Sequence, residues 1–202
     1  MEREVVVRPE NDADAEAVRQ AVTAAFADEG FSDGSEPDVV DALREAGALT
    51  VSLVAEAPDG SVAGYVALSP VTLSAEHPAD LDEPLADTGE GDARPAVSPD
   101  GWYGFGPVAV VPAHQGRGLG GRLVTGVLDR VRDVDPQARG VVVLGDPGYY
   151  NRFGFAHREG LTYPGAPVEM FQARFLDDDP SPRDTAYPTG TVSYHRAFAT
   201  GV

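Results

Sequence analysis

Apolar positions along the chain repeat with two periods, and the places where the period changes mark the elements. Val5–Val7 is a short apolar run between charged flanks and reads as a first strand. Asn11-Asp12-Ala13-Asp14 then offers helix N-caps, and Glu16 puts a carboxylate in the early turns, where the helix dipole favours it. Ala17, Val18, Ala21, Val22, Ala24, Ala25 and Phe26 recur with the spacing of an amphipathic helix. Ser35-Glu36-Pro37-Asp38 opens a second helix with proline in its first turn. Val39, Val40 and Leu43 form its apolar face, and Gly47 lies just past its end. Thr50–Glu56 alternates, Pro58-Asp59-Gly60 turns, and Val62–Leu68 returns, which makes a hairpin.

Residues 74 to 100 break the pattern: they are acidic, rich in proline and glycine, and poor in apolar anchors, so they read as a long surface loop. Gly101–Val111 is the next strand, with Trp102, Tyr103, Phe105, Val108 and Val110, and Pro112-Ala113-His114 is a turn. Gly118–Val134 is helical, with Leu119, Leu123, Val127, Leu128 and Val131 on one side. Val141–Leu144 is a continuous apolar run, as in a strand covered on both faces. Pro147–Arg152 predicts a short helix, and Phe153-Gly154-Phe155 leads toward another strand. Met170–Leu176 and Thr191–Phe198 are the final predicted strands, separated by a polar loop over Asp177–Thr189. The order β-α-α-β-β-β-α-β-α-β-β predicts one mixed α/β layer, a single domain over residues 1–202 with an acidic insertion at about 74–100.

Composition narrows the function classes. Net charge is -18, and all 15 basic residues are arginine. Such a field opposes nucleic acid and anionic membranes unless positive charge is locally concentrated. It fits a halophilic cytoplasm or high-GC coding, and concerns solubility more than chemistry. There is no cysteine, which removes disulfides, thiolate nucleophiles and thiolate metal sites, and suits a cytoplasmic location. No apolar window is long enough to span a bilayer, and the charged N-terminus lacks the core of a signal peptide. His77, His114, His157 and His195 have no metal-ligand spacing, so no metal is expected.

The candidate chemistry lies at Gln115-Gly116-Arg117-Gly118-Leu119-Gly120-Gly121-Arg122. A strand ends, a glycine turn follows and a helix begins. The first helical turn has N–H groups with no partner and a partial positive charge, and glycine lets an anion come close. Arg117 and Arg122 add positive charge to an otherwise acidic chain. Gly116, Gly118 and Gly121 also satisfy the G-x-G-x-x-G dinucleotide pattern. Against that reading, Pro112–Gln115 separates the glycines from the strand, Asp146 lies beyond its strand in a turn, and the loop follows a meander of strands.

Val108-Ala109-Val110, Pro112 and Gln115-Gly116-Arg117-Gly118-Leu119-Gly120 resemble motif A of the GNAT N-acetyltransferases. Gly145–Phe155, with Tyr150 four residues before Gly154-Phe155, resembles that family's fifth-strand exit. Leu53–Glu56, Gly64–Pro70 and Gly190–Phe198 are similar to its YhbS-type branch. The resemblance implies a mixed, mostly antiparallel twisted sheet flanked by helices, with the family's fourth and fifth strands splayed. It implies acetyl-CoA as co-substrate. Val108, Ala109 and Val110 would pair with the pantetheine, and Gln115, Gly116, Arg117, Gly118, Leu119, Gly120, Gly121 and Arg122 would hold the pyrophosphate. A backbone N–H near Val110 would steady the oxyanion, and Tyr150 would protonate the leaving thiolate. Asp146 stands where many members carry asparagine. The general base stays open between Glu36, Glu56 and a water relay. The acceptor would be a small-molecule or peptide amine, and the assembly a monomer or homodimer. The alternative is a non-catalytic acyl-CoA-binding domain with the same loop.

Overall fold

The computed structural model of the chain describes residues 4–30, 32–74, 97–98, 100–176 and 188–199. Most of the expected 74–100 insertion, the Asp177–Thr189 loop up to residue 187 and His77 therefore lie outside the described residues.

The hairpin pattern becomes β2 (Val51–Glu56) and β3 (Val62–Pro70), and β1 (Val6–Pro9) pairs antiparallel along β2. β4 (Thr72–Ser74) follows, and β5 (Trp102–Val110) returns antiparallel to β3. β6 (Gly140–Leu144) lies parallel to β5, and β8 (Phe171–Phe175) antiparallel to β6, after the short β7 (Leu161–Thr162). The main sheet has 6 strands in the order β1-β2-β3-β5-β6-β8. β9 (Gly190–Ser193) lies between β4 and β7 in a separate 3-stranded sheet.

Helices α1 (Ala15–Phe26) and α2 (Glu36–Glu45) cover one face of the main sheet. There Val18, Ala21, Val22 and Val40 pack on Val54, Tyr65, Ala67 and Ala109. Helix α3 (Leu119–Val134) covers the other face, setting Leu119, Leu123, Val127 and Val131 against Val51, Leu53, Val66, Leu68 and Phe105. Each face takes alternate residues of the same strands, as the strand period requires. No described helix is long and apolar enough to cross a membrane.

Two differences from the sequence reading stand out. The alternation over Thr191–Phe198 is realised as β9 only to Ser193, followed by a 3-10 turn at Arg196–Ala199. Tyr194 and Phe198 stack edge-on at 4.8 Å, and Ala197 packs under α2 with Val39 and Leu43, so these apolar residues are buried without a ladder. β4 and β7 are too short for alternation to reveal.

One polar cluster ties β1, β2 and α1 together. Arg8 donates to Glu56 at 2.6 Å and to both oxygens of Asp14 at 2.7 and 2.8 Å. Asp14 also accepts from the Asn11 N–H at 2.8 Å, and Asn11 caps the turn through the Ala13 N–H. The Arg8 guanidinium holds the Asp14 carboxyl below the usual carboxylate range. A depressed carboxyl contributes stability that is present above its unfolded pKa and lost as pH falls through the folded one. Asp14→Asn should therefore cost about 2 kcal/mol in urea unfolding at pH 7. Its deficit against the native chain should shrink below about pH 4. A deficit independent of pH would show that the pair does not carry the effect.

Candidate active site

The site begins where β5 and β6 part. They pair only at Trp102–Gly140, Tyr103–Val141 and Gly104–Val142. Beyond that, β5 stays with β3 as far as Val110 and β6 stays with β8 as far as Leu144, so a gap opens between them. Val141–Val143 are buried as expected, whereas Leu144, at the end of β6, is 46% exposed. The β3–β5 register shifts at Ala67, which faces the extra residues Gly106 and Pro107, a bulge. Pro107 brings no N–H to a ladder, and a bulge re-aims the strand beyond it.

Past the bulge the Val111 N–H donates to Ala63 O at 3.0 Å. Alternate residues of an antiparallel pair turn to the same neighbour. Ala109 therefore turns to β3 together with Val111, while Val108 and Val110 direct N–H and C=O into the gap. Gln115 agrees with this, since its side-chain amide donates to Val110 O at 2.9 Å.

From Val110 the chain passes through a 3-10 turn at Pro112–His114 into the glycine loop. Gly116 and Gly118 have φ of 72° and 77°, left-handed values that cost any residue with a Cβ. Gly118 is the N-cap of α3, and the first helical bond runs from Arg122 N–H to Gly118 O. The N–H groups of Gly118, Leu119, Gly120 and Gly121 have no acceptor among the described residues. Four orphan donors at a helix start are the expected geometry for a phosphate-type anion. Arg117 and Arg122 have no carboxylate partner among the described residues, and Arg122 donates to Val5 O at 2.9 Å. A groove of about 810 Å³ runs from the loop along α3, lined by Val7, Gly118, Gly121, Arg122, Arg130 and Phe153 among others.

The far wall of the gap comes from α4 (Pro147–Tyr150), continued by a 3-10 turn at Asn151–Phe153. Asp146 caps α4 by accepting the Gly148 N–H at 2.9 Å, so its carboxylate has a local task. Tyr150 lays its ring against Gly145 and meets Phe105 at 6.1 Å and Phe155 at 5.9 Å, which places it beside the gap on the α3 face. Burial, and secondarily the neighbouring Tyr149, pushes its phenol above the ordinary value, so it stays protonated. Tyr149 reaches the loop instead: its hydroxyl lies 2.5 Å from where a Cβ on Gly120 would stand. Arg152 stacks over the Tyr149 ring at 4.0 Å.

Residues 16–155 match the model of the acetyltransferase (GNAT) family. The chain belongs to this family. It is 37% identical over 172 residues to the uncharacterized N-acetyltransferase YhbS of Escherichia coli K12, which covers 83% of this chain and 86% of YhbS. The crystal structure of a GNAT family acetyltransferase from Brucella melitensis with acetyl-CoA superposes with a TM-score of 0.70 and 39% identity. That superposition covers 96% of this chain and 98% of the other. The structure of E. coli YhbS with CoA superposes with a TM-score of 0.74 and 32% identity, over 97% and 92% of the two chains.

Within this GNAT site, several sequence expectations find other surroundings. Gln115 holds the Val110 carbonyl at the end of the open edge. Ala109 is turned toward β3. Glu56 is ion-paired to Arg8 at the β1–β2 border, two strands from β5, and Glu36 accepts from the Ser32 hydroxyl at 2.8 Å. His114 lies in the exposed turn before the loop. Trp102 and Tyr103, read in the sequence only as strand residues, are 0% exposed and belong to the core, and the Tyr103 hydroxyl donates to Asp135 at 2.6 Å. The parts of the site that sequence reasoning missed are the Gly106–Pro107 bulge and the cover that Tyr149 forms over Gly120. The Gly-Pro pair inside a strand was the signal for the bulge.

The loop's dependence on glycine is separable from any ligand. A methyl on Gly118 meets nothing within 4 Å, yet the φ is left-handed. Gly118→Ala should lose roughly 1–2 kcal/mol in denaturant unfolding without disturbing the core. An unchanged unfolding midpoint would show that the loop relaxes to another backbone.

Proposed function

We propose that this chain transfers an acetyl group from acetyl-CoA to an amine, directly and without a covalent enzyme intermediate. The observation that carries the reading is the pairing of an open β5 edge with unpartnered N–H groups at Gly118–Gly121 directly beyond it. Acetyl-CoA presents amides along its arm and a pyrophosphate beyond them, which is the order the chain offers. Val108 and Val110 bind the arm as an added strand would. Gly116 to Gly121 take the pyrophosphate, with Gln115 holding their approach in place. Arg117 and Arg122 neutralise it, and the groove along α3 receives the nucleotide end. The acetyl-CoA and CoA complexes of the Brucella protein and of YhbS support this reading.

Chemically, the lone pair of a neutral amine attacks the thioester carbonyl carbon. A backbone N–H near Val110, that of Val108 at the end of the open edge nearer the parting, stabilises the negative charge that develops on the carbonyl oxygen. As the C–S bond breaks, Tyr150 gives its proton to sulfur. The excess proton on the new amide nitrogen leaves through water, and Tyr150 is reprotonated. The products are the N-acetylated amine and CoA thiol. Burial makes Tyr150 a weaker acid than a free phenol, but the thiolate forming in the same dry gap is raised by the same cause, so the transfer stays matched. Acceptors of this kind are small-molecule or peptide amines.

Tyr150→Phe keeps the ring that packs on Phe105 and Phe155 and removes only the proton donor. It should lower kcat by about 100-fold or more while the acetyl-CoA Kd from calorimetry stays near that of the native chain. Unchanged turnover removes Tyr150 from the mechanism. Binding of NAD but not of acetyl-CoA overturns the cofactor assignment itself.

A further inference from the structure

The peptide group that joins β6 to α4 is held by a side chain. The β6–β8 ladder ends at Leu144–Phe171. One residue further on, the Gly145 N–H still donates to Met170 O at 2.9 Å, but the Met170 N–H is taken by Pro167 O at 3.0 Å, inside the 3-10 turn before β8. The Gly145 carbonyl therefore loses the donor that an antiparallel pair would give it. Gln172 supplies one instead: its Nε2 donates to Gly145 O at 3.0 Å. A single amide side chain thus completes the sheet at the point where the far wall of the gap begins.

The surroundings of Gln172 call for an apolar residue. It lies on β8 opposite Val143 and is 1% exposed. Facing residues of an antiparallel pair put their side chains on the same face of the sheet. Val143 packs in the core under α3 with Val141 and Phe155, so Gln172 stands on that face too. Its Oε1 is buried there and has no hydrogen-bond partner among the described residues. Such an atom is costly, and an apolar side chain of the same length would avoid the cost. Departures of this kind are expected where position matters more than stability.

What the amide positions is Tyr150. The Tyr150 ring lies on Gly145 so closely that a Cβ there would collide with it. The Tyr150 N–H also donates to Asp146 O at 3.0 Å, and the Tyr149 N–H at 2.9 Å, so α4 hangs from the residue after Gly145. The Gly145 carbonyl and the Asp146 N–H belong to one planar peptide group. Fixing the carbonyl therefore fixes both the surface under the ring and the root of the helix that carries it. We propose that Gln172 is a positioning residue for acetyl transfer, holding the Gly145–Asp146 peptide so that the Tyr150 hydroxyl meets the sulfur of acetyl-CoA. The inference rests on reading Tyr150 as the proton donor. Gln172 acts from the core and needs no access to the ligand.

The test measures thiol release from acetyl-CoA by the full chain with trialanine, benzylamine or spermidine, and with no amine, where water takes the acetyl group and acetate forms. Rates are compared with the acceptor that the native chain turns over fastest. Gln172→Met keeps the length and removes the amide. It should lower kcat about tenfold or more, as a small misplacement of a reacting group does. The acetyl-CoA Kd from calorimetry should stay within about twofold. The unfolding temperature should stay near that of the native chain, since one unpaired buried acceptor replaces another. In a Tyr150→Phe background the same change should alter kcat less than about twofold, because its effect runs through the hydroxyl. Gln172→Glu gives a second readout. Burial raises the pKa of the introduced carboxyl. Protonated, that carboxyl donates to Gly145 O; ionised, it cannot. Its kcat relative to the native chain should therefore rise as pH falls. Unchanged kcat in Gln172→Met, the full loss again in the Tyr150→Phe background, or a flat pH ratio in Gln172→Glu overturns the proposal. So does a fall in unfolding temperature or acetyl-CoA affinity in step with kcat. If neither variant folds, the amide is structural and the proposal falls as well. If Tyr150→Phe itself leaves turnover unchanged, or the native chain releases no thiol with any acceptor, the reading of Tyr150 falls and the inference with it. If Tyr150→Phe lowers turnover, any failure belongs to the inference alone.

Discussion

The site depends on a sheet that does not close. β5 and β6 share three residue pairs and then separate while each keeps its other neighbour. Backbone N–H and C=O groups inside a protein need partners, so a parting in mid-sheet is stable only if other groups support it. Phe105, Tyr150 and Phe155 wedge the α3 face, and the Gly106–Pro107 bulge turns the strand at the parting. Everything functional follows from that split. The strand on one side runs into the glycine loop, the strand on the other runs into α4, and the two carry opposite walls of one site.

Much of this was legible in the sequence, for identifiable reasons. α1, α2, α3 and the strands β2, β3, β5 and β6 sustain one period long enough to be read. The loop glycines were legible because left-handed φ at Gly116 and Gly118 leaves few alternatives. β4 and β7 were not, since two or three residues carry no period. Thr191–Phe198 misled because its alternation buries rings against rings and α2 without forming a ladder. Gln115 was legible as part of the loop motif, but its bond to Val110 O depends on how the chain turns after β5 and was not.

The acidic composition also acquires a spatial meaning. Arg8, Arg19 and Arg44 are held by carboxylates on the β1, α1 and α2 side: Asp14 and Glu56, Asp38 and Asp41, Glu10 and Asp41. Arg117 and Arg122, at the loop, have no such partners among the described residues. The carboxylate-paired arginines thus gather on the β1, α1 and α2 side, and the two arginines of the glycine loop are not among them. Because every such group is a guanidinium, its charge does not change across the accessible pH range.

The bond from Gln115 to Val110 O has one further consequence. The open edge offers the Val108 N–H, the Val108 C=O and the Val110 N–H in turn, and then the next acceptor is already occupied. Ladder pairing along this edge therefore ends at the Val110 N–H, and one amide side chain fixes where an added strand would lose its register with β5.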